Sequence, residues 1–249
     1  MFSRVIVVVL AVFVWVGSSW VLAGEPVAPE VADKLRATLE VPSTGLKVGS
    51  VQTSELPGLY EVQFINGPLI YATAKGDYFL VGDIFSVGPG GYVNLAEKRR
   101  DGERVEKLAA VKLDDMIVFS PEGETRASMT VFTDVSCFYC QKLHKEVPEL
   151  NKRGVEVRYL AYPRAGVGSE AYNQLATAWC AADKTGTLTR LKNRETVADN
   201  VCPDNPVASQ YMLGQQMGVR GTPAIVTETG QMIPGYQSAE DLMVTLGLN

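Results

Sequence analysis

The sequence predicts an α+β chain of two folded parts joined by a polar helix. Short β-rich runs separated by turn residues lie between Leu46 and Val87, a pattern typical of an antiparallel meander. A stretch from Glu97 to Lys107 is dominated by charges of both signs, which makes it too polar to be buried. From Leu113 onwards strand and helix patterns alternate, and this alternation indicates an α/β domain.

Residues 1–23 have the features of a secretory signal peptide. Arg4 is their only charge, an apolar run from Val5 to Val16 follows, and the segment closes on Val-Leu-Ala23. We expect cleavage after Ala23 and export to a compartment where disulfides persist. An uncleaved membrane anchor is the alternative, because the segment approaches spanning length. The break at Gly17-Ser-Ser counts against that alternative.

The composition argues against two classes of function. The chain has 23 basic and 28 acidic residues. This mildly acidic balance lacks the excess of positive charge that nucleic-acid binding requires. Its single histidine is His144, so a histidine-built metal site is not expected. We predict no metal and no cofactor.

Residues 24–92 are expected to form the first domain. Pro29 suits a first helical turn, and Leu35 and Leu39 continue a four-residue apolar spacing that begins at Val31, so a short amphipathic helix is predicted. An open sheet of this size leaves edge strands that a second copy can pair. The predicted strands, separated by Asn66-Gly-Pro and Lys75-Gly-Asp, are Leu59 to Ile65, Leu69 to Thr73, and Tyr78 to Val81.

Residues 93–112 are expected to form a solvated linker helix. Nine of the eleven residues from Glu97 to Lys107 are charged. Glycine weakens a helix by about 1 kcal/mol relative to alanine, so a hinge is predicted at Asp101-Gly102. Because acids and bases alternate along the helix, a basic membrane patch is not expected.

Residues 113–249 are expected to form the second domain. A βαβ half followed by a ββα half, with Cys-x-x-Cys at the first strand–helix junction, is a thioredoxin-like arrangement, and the long middle segment predicts a helical insertion. Pro148 is expected to kink or end the helix after Cys140. The predicted strands are Met116 to Phe119, Met129 to Thr133, Val155 to Ala161, Ala224 to Thr227 and Gln231 to Pro234; the other helices are Ser169 to Ala182, Pro206 to Met217 and Ser238 to Leu246.

The candidate catalytic site is Cys137-Phe-Tyr-Cys140. Cys137 falls at or beside the N-cap of the predicted helix, where unpaired N–H groups and the helix dipole favour a thiolate. Cysteines in such positions have pKa values of roughly 3.5–7.5 instead of about 8.5. Cys140, one turn further on, is within reach to attack a mixed disulfide on Cys137. Phe138 and Tyr139 lie in a reactive turn and are expected to be partly exposed.

Cys180 and Cys202 are the remaining cysteines. The simplest pairing in an exported protein joins them in a structural disulfide, because the other connectivities would destroy the Cys-x-x-Cys centre. In the chain-entropy model such a bridge contributes roughly 3 kcal/mol. Four thiolates around zinc are the alternative, although the second pair lacks the matching Cys-x-x-Cys spacing.

Thr222-Pro223 and His144 are further candidates. A cis proline at this point of a thioredoxin-like fold packs against the Cys-x-x-Cys, and the Thr222 backbone can pair with a substrate chain. An ordinary turn proline is the alternative. His144 follows Cys140 by one helical turn. Its role stays open between a cation that favours the thiolate and a surface or packing residue.

The chain resembles the periplasmic DsbC/DsbG family of thiol:disulfide interchange proteins over nearly all of its mature sequence. The resemblance rests on co-linear matches at Val131-Phe-Thr-Asp134, Cys137-x-Tyr-Cys140, Lys142-Leu-His144, Val157-Arg-Tyr-Leu-Ala161, Pro163-Arg164, Trp179-Cys180-Ala181, Gly221-Thr-Pro-Ala224 and Pro234-Gly-Tyr-Gln237. It implies a cystatin-like dimerisation domain, a helical arm, and two thioredoxin-like domains that face each other across a V-shaped homodimer.

The resemblance also implies roles for the site residues. Cys137 attacks substrate disulfides, Cys140 resolves the mixed disulfide, and Thr222-Pro223 lines the site. Cys180–Cys202 is structural. The substrates are misfolded exported proteins in the periplasm, and an inner-membrane donor of the DsbD type keeps the dithiol reduced.

Two departures from related proteins bear on the activity. Phe138 stands where DsbC usually has glycine and DsbG has proline, so this position does not assign the chain to either the DsbC or the DsbG subgroup. The buried acid of thioredoxin would fall near Val131 in this sequence, and the loss of that proton acceptor fits DsbC better than a reductase. The leading hypothesis is disulfide isomerisation with chaperone activity in a dimer cleft. The alternatives are a DsbG-like reductase of sulfenylated cysteines and a dimeric holdase with secondary redox function.

Overall fold

The structure is a computed structural model that describes residues 27–65, 67–88 and 91–248. The predicted signal peptide, residues 1–23, lies outside this described part of the chain. Two compact units divide the chain between Asp83 and Ile84. Within the described residues, no helix has both the length and the apolar character needed to cross a bilayer.

The first unit is an antiparallel meander packed on one helix. Pro29 occupies the first turn of this helix, and Leu35 and Leu39 are buried against the sheet residues Val62 and Ile70. The predicted helix and the three predicted strands are confirmed, and a further strand, β1, lies between the helix and those three strands. In chain order the elements are α1 (Pro29–Leu39), β1 (Val48–Thr53), β2 (Leu59–Phe64), β3 (Leu69–Thr73) and β4 (Phe79–Val81), with the strands in sequential order in the sheet.

Strand β4 is an exposed, apolar edge of this sheet. It pairs with β3 through Ala72↔Phe79 and Ile70↔Val81, and no other described strand pairs with it. Phe79, Leu80 and Val81 are 56%, 62% and 67% exposed. An apolar edge strand of this kind is a template for pairing with another chain.

The second unit begins with a two-stranded ribbon and a long helix. The ribbon is β5 (Phe85–Gly88) paired with β6 (Gly91–Asn94), and α2 (Leu95–Ala109) follows it directly. The Asn94 side chain caps α2 by accepting from the Glu97 N–H at 3.0 Å. Gly102 lies inside α2, which continues without a break through the predicted hinge.

A solvated linker helix was predicted here, and this is wrong for one face of α2. Arg104 is only 5% exposed; its guanidinium donates to the carbonyls of Met217 at 3.4 Å and Gly230 at 3.3 Å. It also pairs with Glu97 and Asp101, each at 2.8 Å. Arg104 therefore binds α2 to the following domain, and Glu97 and Asp101 neutralise its charge. Gly230 has φ +85°, and any Cβ there would collide with the Asp101 carbonyl.

The rest of the second unit is a five-stranded sheet in the order β11-β10-β8-β9-β7. β8 and β9 are parallel and the other neighbours are antiparallel, which confirms the predicted βαβ and ββα halves. All seven residues of β8 are buried, because it lies at the centre of the sheet. The strands are β7 (Ile117–Phe119), β8 (Ala127–Thr133), β9 (Val155–Ala161), β10 (Ala224–Thr227) and β11 (Met232–Pro234).

Five helices cover this sheet, and two of them differ from expectation. The expected effect of Pro148 was to kink or end the active-site helix, but this helix continues to Lys152 because Val147 and Leu150 on either side of the proline are buried. Helix α5 was not singled out, since its start, Thr185-Gly-Thr, has weak helix propensity. The helices are α3 (Phe138–Lys152), α4 (Glu170–Trp179), α5 (Lys184–Lys192), α6 (Val207–Gln216) and α7 (Ala239–Thr245).

Replacing Arg104 by methionine is expected to lower the free energy of unfolding by about 1–3 kcal/mol, because two carbonyls and two part-exposed carboxylates lose a buried partner. Chemical denaturation measures the change. Arg100→Met is the matched control: Arg100 also pairs with Glu97, at 2.7 Å, but is 42% exposed, so a change within about 0.5 kcal/mol is expected. Equal effects of the two substitutions would contradict the role given to Arg104.

Candidate active site

The site lies where β8 ends and α3 begins. Thr133 is the last residue of β8, and Cys137 is the N-cap of α3 with φ −80° and ψ 120°. The Cys137 N–H donates to the Asp134 carbonyl at 3.3 Å, and the Cys137 carbonyl accepts from the Gln141 N–H at 3.0 Å. The predicted N-cap position of Cys137 is confirmed. Its sulfur therefore sits at the end of the helix where negative charge is favoured.

Cys137 and Cys140 are both free thiols and both buried. A hydrogen bond from the Cys140 thiol is the main cause that lowers the pKa of Cys137 to about 5; burial opposes this shift, and the charge of Arg164 adds to it. The pKa of Cys140 moves the other way, because burial and its bond to Cys137 both favour the thiol. At neutral pH the pair carries one negative charge, on Cys137.

Thr222 and Pro223 form the wall beside these sulfurs. Their peptide bond is cis, and the Gly235 N–H donates to the Pro223 carbonyl at 2.8 Å. The Thr222 carbonyl oxygen lies 3.2 Å from the Cys137 sulfur, which donates to it when protonated. The buried Thr222 hydroxyl has no hydrogen-bond partner of normal geometry in the described chain, and it lies close enough to both sulfurs to favour their ionised forms.

Phe138 and Tyr139 extend from the turn toward solvent. They are 61% and 55% exposed, as expected of a reactive turn, and their rings pack edge to face with centroids 5.4 Å apart. The structure thus brings Cys137, Cys140 and Thr222 together and leaves the two aromatic rings as an apolar rim.

Asp134 organises the turn and was not singled out as a site residue from the sequence. Its Oδ1 accepts from the Ser136 N–H and hydroxyl, each at 2.7 Å, and its Oδ2 accepts from the Arg164 N–H at 2.9 Å and Nε at 3.1 Å. Burial opposes ionisation, but the bonds from Arg164 and Ser136 outweigh it and lower the pKa of Asp134. The Asp-x-Ser spacing before a helix is a local signal for such a turn.

Lys192 is a second residue that the sequence did not reveal. It is 2% exposed, and its Nζ donates to the Thr133 hydroxyl at 2.5 Å and to the Asp134 carbonyl at 2.9 Å. Burial lowers its pKa to about 8, against the opposing charges of Cys140 and Asp134. The sequence holds one indication that Lys192 is buried: it follows the buried Leu188 by one turn of α5 and so lies on the same face of the helix.

His144 is a packing residue. One ring nitrogen lies 3.1 Å from the Tyr159 hydroxyl and the other 3.0 Å from the Thr189 hydroxyl. Burial, followed by the charge of Lys192, lowers the pKa of His144 to about 4. The imidazole is neutral at pH 7, so the cationic and surface roles left open by the sequence are wrong and the packing role is confirmed.

Cys180 and Cys202 form a disulfide with a Cα–Cα distance of 5.7 Å. Cys180 ends α4 as its C-cap, and Cys202 lies in the loop before α6. Because this bridge occupies two of the four cysteines, the four-thiolate zinc site is not formed. Among residues 27–65, 67–88 and 91–248, no group of three or more His, Cys, Asp or Glu side chains is placed to hold a metal ion.

Comparison with known proteins identifies relatives for both units. The family described as a thioredoxin-like domain matches residues 114–247, and the family described as the disulfide bond isomerase protein N-terminal domain matches residues 25–97. The thiol:disulfide interchange protein DsbC of Dickeya dadantii is 36% identical over 202 residues, covering 81% of this chain and 82% of the relative. The protein of the same name from Escherichia coli K12 is 35% identical over 198 residues, covering 80% of each.

A solved structure agrees with these matches. A crystal structure of a disulfide interchange protein from Neisseria gonorrhoeae superposes with a TM-score of 0.50 at 29% identity, covering 56% of this chain and 98% of that one.

The rate at which iodoacetamide alkylates reduced Cys137 is expected to rise with pH through a midpoint near 5, because only the thiolate reacts. Cys140→Ala removes the donor that contributes most to this low pKa, so the midpoint should move upward. Cys140→Ser is the matched control, since its hydroxyl can still donate, and its midpoint should fall between the other two. An unchanged midpoint in Cys140→Ala would contradict the assigned hydrogen bond.

Proposed function

The chain belongs to the DsbC family of thiol:disulfide interchange proteins, and from this premise we propose that it isomerises wrong disulfides in exported proteins. The observation that carries the proposal is the asymmetric dithiol at the N-terminus of α3. Cys137 is held as a thiolate, whereas Cys140 is held as a thiol. A thiolate is the species that attacks a disulfide.

The reaction begins when the Cys137 thiolate attacks one sulfur of a substrate disulfide. A new sulfur–sulfur bond forms to Cys137, the substrate bond breaks, and its second sulfur leaves as a thiolate. That thiolate can attack another disulfide within the substrate, and a later substrate thiolate expels Cys137. The sequence of steps rearranges substrate disulfides with no net oxidation.

Cys140 provides a second outcome. Its sulfur attacks Cys137, the substrate leaves reduced, and a Cys137–Cys140 disulfide remains. The enzyme then needs electrons, for which we propose an inner-membrane donor of the DsbD type. Thr222 and Pro223 line the approach, where an extended substrate segment can pair with the Thr222 backbone. Phe138 and Tyr139 offer apolar contact to it, and Cys180–Cys202 supports the fold.

The proposed organisation follows the family matches, which cover residues 25–97 and 114–247. We assign residues 1–23 to a cleaved signal peptide, 24–92 to a dimerisation domain, 93–112 to a linker helix and 113–249 to the catalytic domain. The proposed location is the periplasm, where export delivers substrates with non-native disulfides.

We propose that the active form is a homodimer in which a second copy covers the edge strand β4. The strand exposes three consecutive apolar side chains and has one free edge in the described chain. A second copy supplies an identical strand, so antiparallel pairing across a two-fold axis satisfies both edges at once. Such a dimer can also hold unfolded chains as a chaperone, with the exposed Phe138 and Tyr139 as contact surface.

Cys137→Ser is expected to reduce the refolding rate of a substrate with scrambled disulfides to the uncatalysed level, because the attacking thiolate is lost. Cys140→Ser should keep part of the isomerase activity, since the substrate can resolve its own mixed disulfide. Recovery of native substrate activity measures both rates, and denaturation of each variant checks its fold. Isomerase activity that survives in Cys137→Ser would refute the proposal.

The double variant Cys137→Ser/Cys140→Ser separates chemistry from chaperone activity. Suppression of aggregation by this variant at wild-type level would show that binding does not depend on the dithiol. If the wild-type chain suppresses aggregation but shows no isomerase activity, it is a holdase. That result would refute the proposed isomerase function.

Leu80→Lys is expected to weaken the dimer at least tenfold, because lysine on an edge strand opposes strand pairing and both copies carry the charge. Sedimentation over a range of concentrations measures the dissociation constant. Leu56→Lys is the matched control: Leu56 is 43% exposed in the same unit but lies between β1 and β2. A wild-type dissociation constant for Leu80→Lys, or equal losses in both variants, would contradict pairing through β4.

A further inference from the structure

Lys192 is a buried cation that lacks a directly bonded counter-charge in the resting site. It is 2% exposed, yet its Nζ donates only to neutral oxygens, those of the Thr133 hydroxyl and the Asp134 carbonyl. Within the described chain, no carboxylate forms an ion pair with it. A buried cation without a partner is strongly destabilising, so its presence calls for a compensating charge.

The carboxylate of Asp134 attracts the Lys192 ammonium but forms no ion pair with it, because its oxygens are already engaged. Both of its oxygens accept hydrogen bonds from Ser136 and Arg164, and the group that bonds Lys192 is the backbone carbonyl. From β9, the Tyr159 ring faces the ammonium with its centroid 5.9 Å away. Tyr159 stays neutral, because burial raises its pKa.

Lys192 lies beside the start of α3, because the Asp134 carbonyl accepts from both the Lys192 ammonium and the Cys137 N–H. The groups of α3 that interact electrostatically with Lys192 are Cys137, Cys140 and His144. His144 is neutral at pH 7, and its own pKa is lowered in part by the Lys192 charge. The two sulfurs attract the ammonium, and Cys140 exerts the largest Coulombic effect on it. In turn, the Lys192 charge is the largest of the effects that lower the pKa of Cys140, against the burial that raises it. Arg164 is the other cation that acts on Lys192, and it repels it.

We propose that Lys192 is a positioning residue whose ammonium provides the counter-charge for the Cys140 thiolate that resolves the mixed disulfide. In the resting enzyme the negative charge lies on Cys137. Once Cys137 is bound to a substrate sulfur, that charge has left with the released thiolate, and Cys140 is the remaining sulfur that can ionise beside Lys192. The proposal rests on the proposed function, since it concerns its second step.

The resolving step balances without another reactant. The Cys140 thiol loses its proton, its sulfur bonds to Cys137, and the bond between Cys137 and the substrate breaks. The proton ends on the departing substrate thiolate or in solvent. The substrate is reduced, and the two enzyme cysteines are oxidised to a disulfide. By stabilising the thiolate, Lys192 shortens the lifetime of the mixed disulfide and shifts the balance from isomerisation toward reduction.

The reaction with dithiobis(nitrobenzoate), an aryl disulfide, observes attack and resolution separately. Cys137 attack releases one coloured thionitrobenzoate and leaves the second bound to Cys137; resolution by Cys140 releases the second one. We compare wild type, Lys192→Met, Lys192→Gln and Lys152→Met by rapid mixing over a range of pH. Lys152→Met is the control, because Lys152 is 77% exposed.

The charge-free variants Lys192→Met and Lys192→Gln are both expected to shift the pH midpoint of the second phase upward by about one unit. Since nucleophilicity rises as thiolate pKa rises, one unit slows resolution at neutral pH about threefold. Lys152→Met should match wild type in both phases. Lys192→Gln can still bond Thr133 and Asp134, so it tests charge apart from hydrogen bonding.

Three results would overturn the proposal. The first is an unchanged second-phase midpoint in both Lys192 variants. The second is a wild-type midpoint in Lys192→Gln alone, which would assign Lys192 a hydrogen-bonding role. The third is loss of the first phase in both variants, which would show that Lys192 serves the fold. A wild-type protein that releases only one thionitrobenzoate would instead refute the proposed dithiol function.

Discussion

The negative charge on Cys137 is the feature on which the rest of the site depends. Its sulfur is placed at a helix N-terminus but is largely excluded from water, so protein groups must replace the lost hydration. The Cys140 thiol, the Thr222 hydroxyl and the Arg164 charge supply that replacement. Each comes from a different segment, and therefore the reactive thiolate exists only in the folded domain.

The turn at Asp134 holds these segments together. Its carbonyl accepts from the Cys137 N–H and from Lys192, while its carboxylate accepts from Ser136 and Arg164. One residue thus connects the start of α3, the end of α5 and the loop after β9. It follows directly from β8, the central strand, in which every residue is buried. The fully buried central strand of the sheet therefore positions the reactive turn.

The asymmetry between the two sulfurs explains how a single dithiol can serve isomerisation. Burial is the main cause that raises the pKa of Cys140, and it persists when Cys137 is bound to a substrate sulfur, so Cys140 does not resolve the mixed disulfide at once. The delay gives the substrate time to rearrange its own sulfurs. The exposed rings of Phe138 and Tyr139 provide contact during that time.

Local patterns in the sequence missed β1, the β5–β6 ribbon and α5, but they determined most of the strand and helix order, the N-cap position of Cys137, and the exposure of Phe138 and Tyr139. These features depend on residue periodicity, capping and turn chemistry, all of which act over a few neighbouring positions. Tertiary structure alone decided that Arg104, His144 and Lys192 are buried. Sequence alone predicts that a charged or titratable side chain is solvated, because its long-range partners are not yet known. For Arg104 these partners are two carbonyls more than a hundred positions away. For Lys192 the partner is the turn at Asp134.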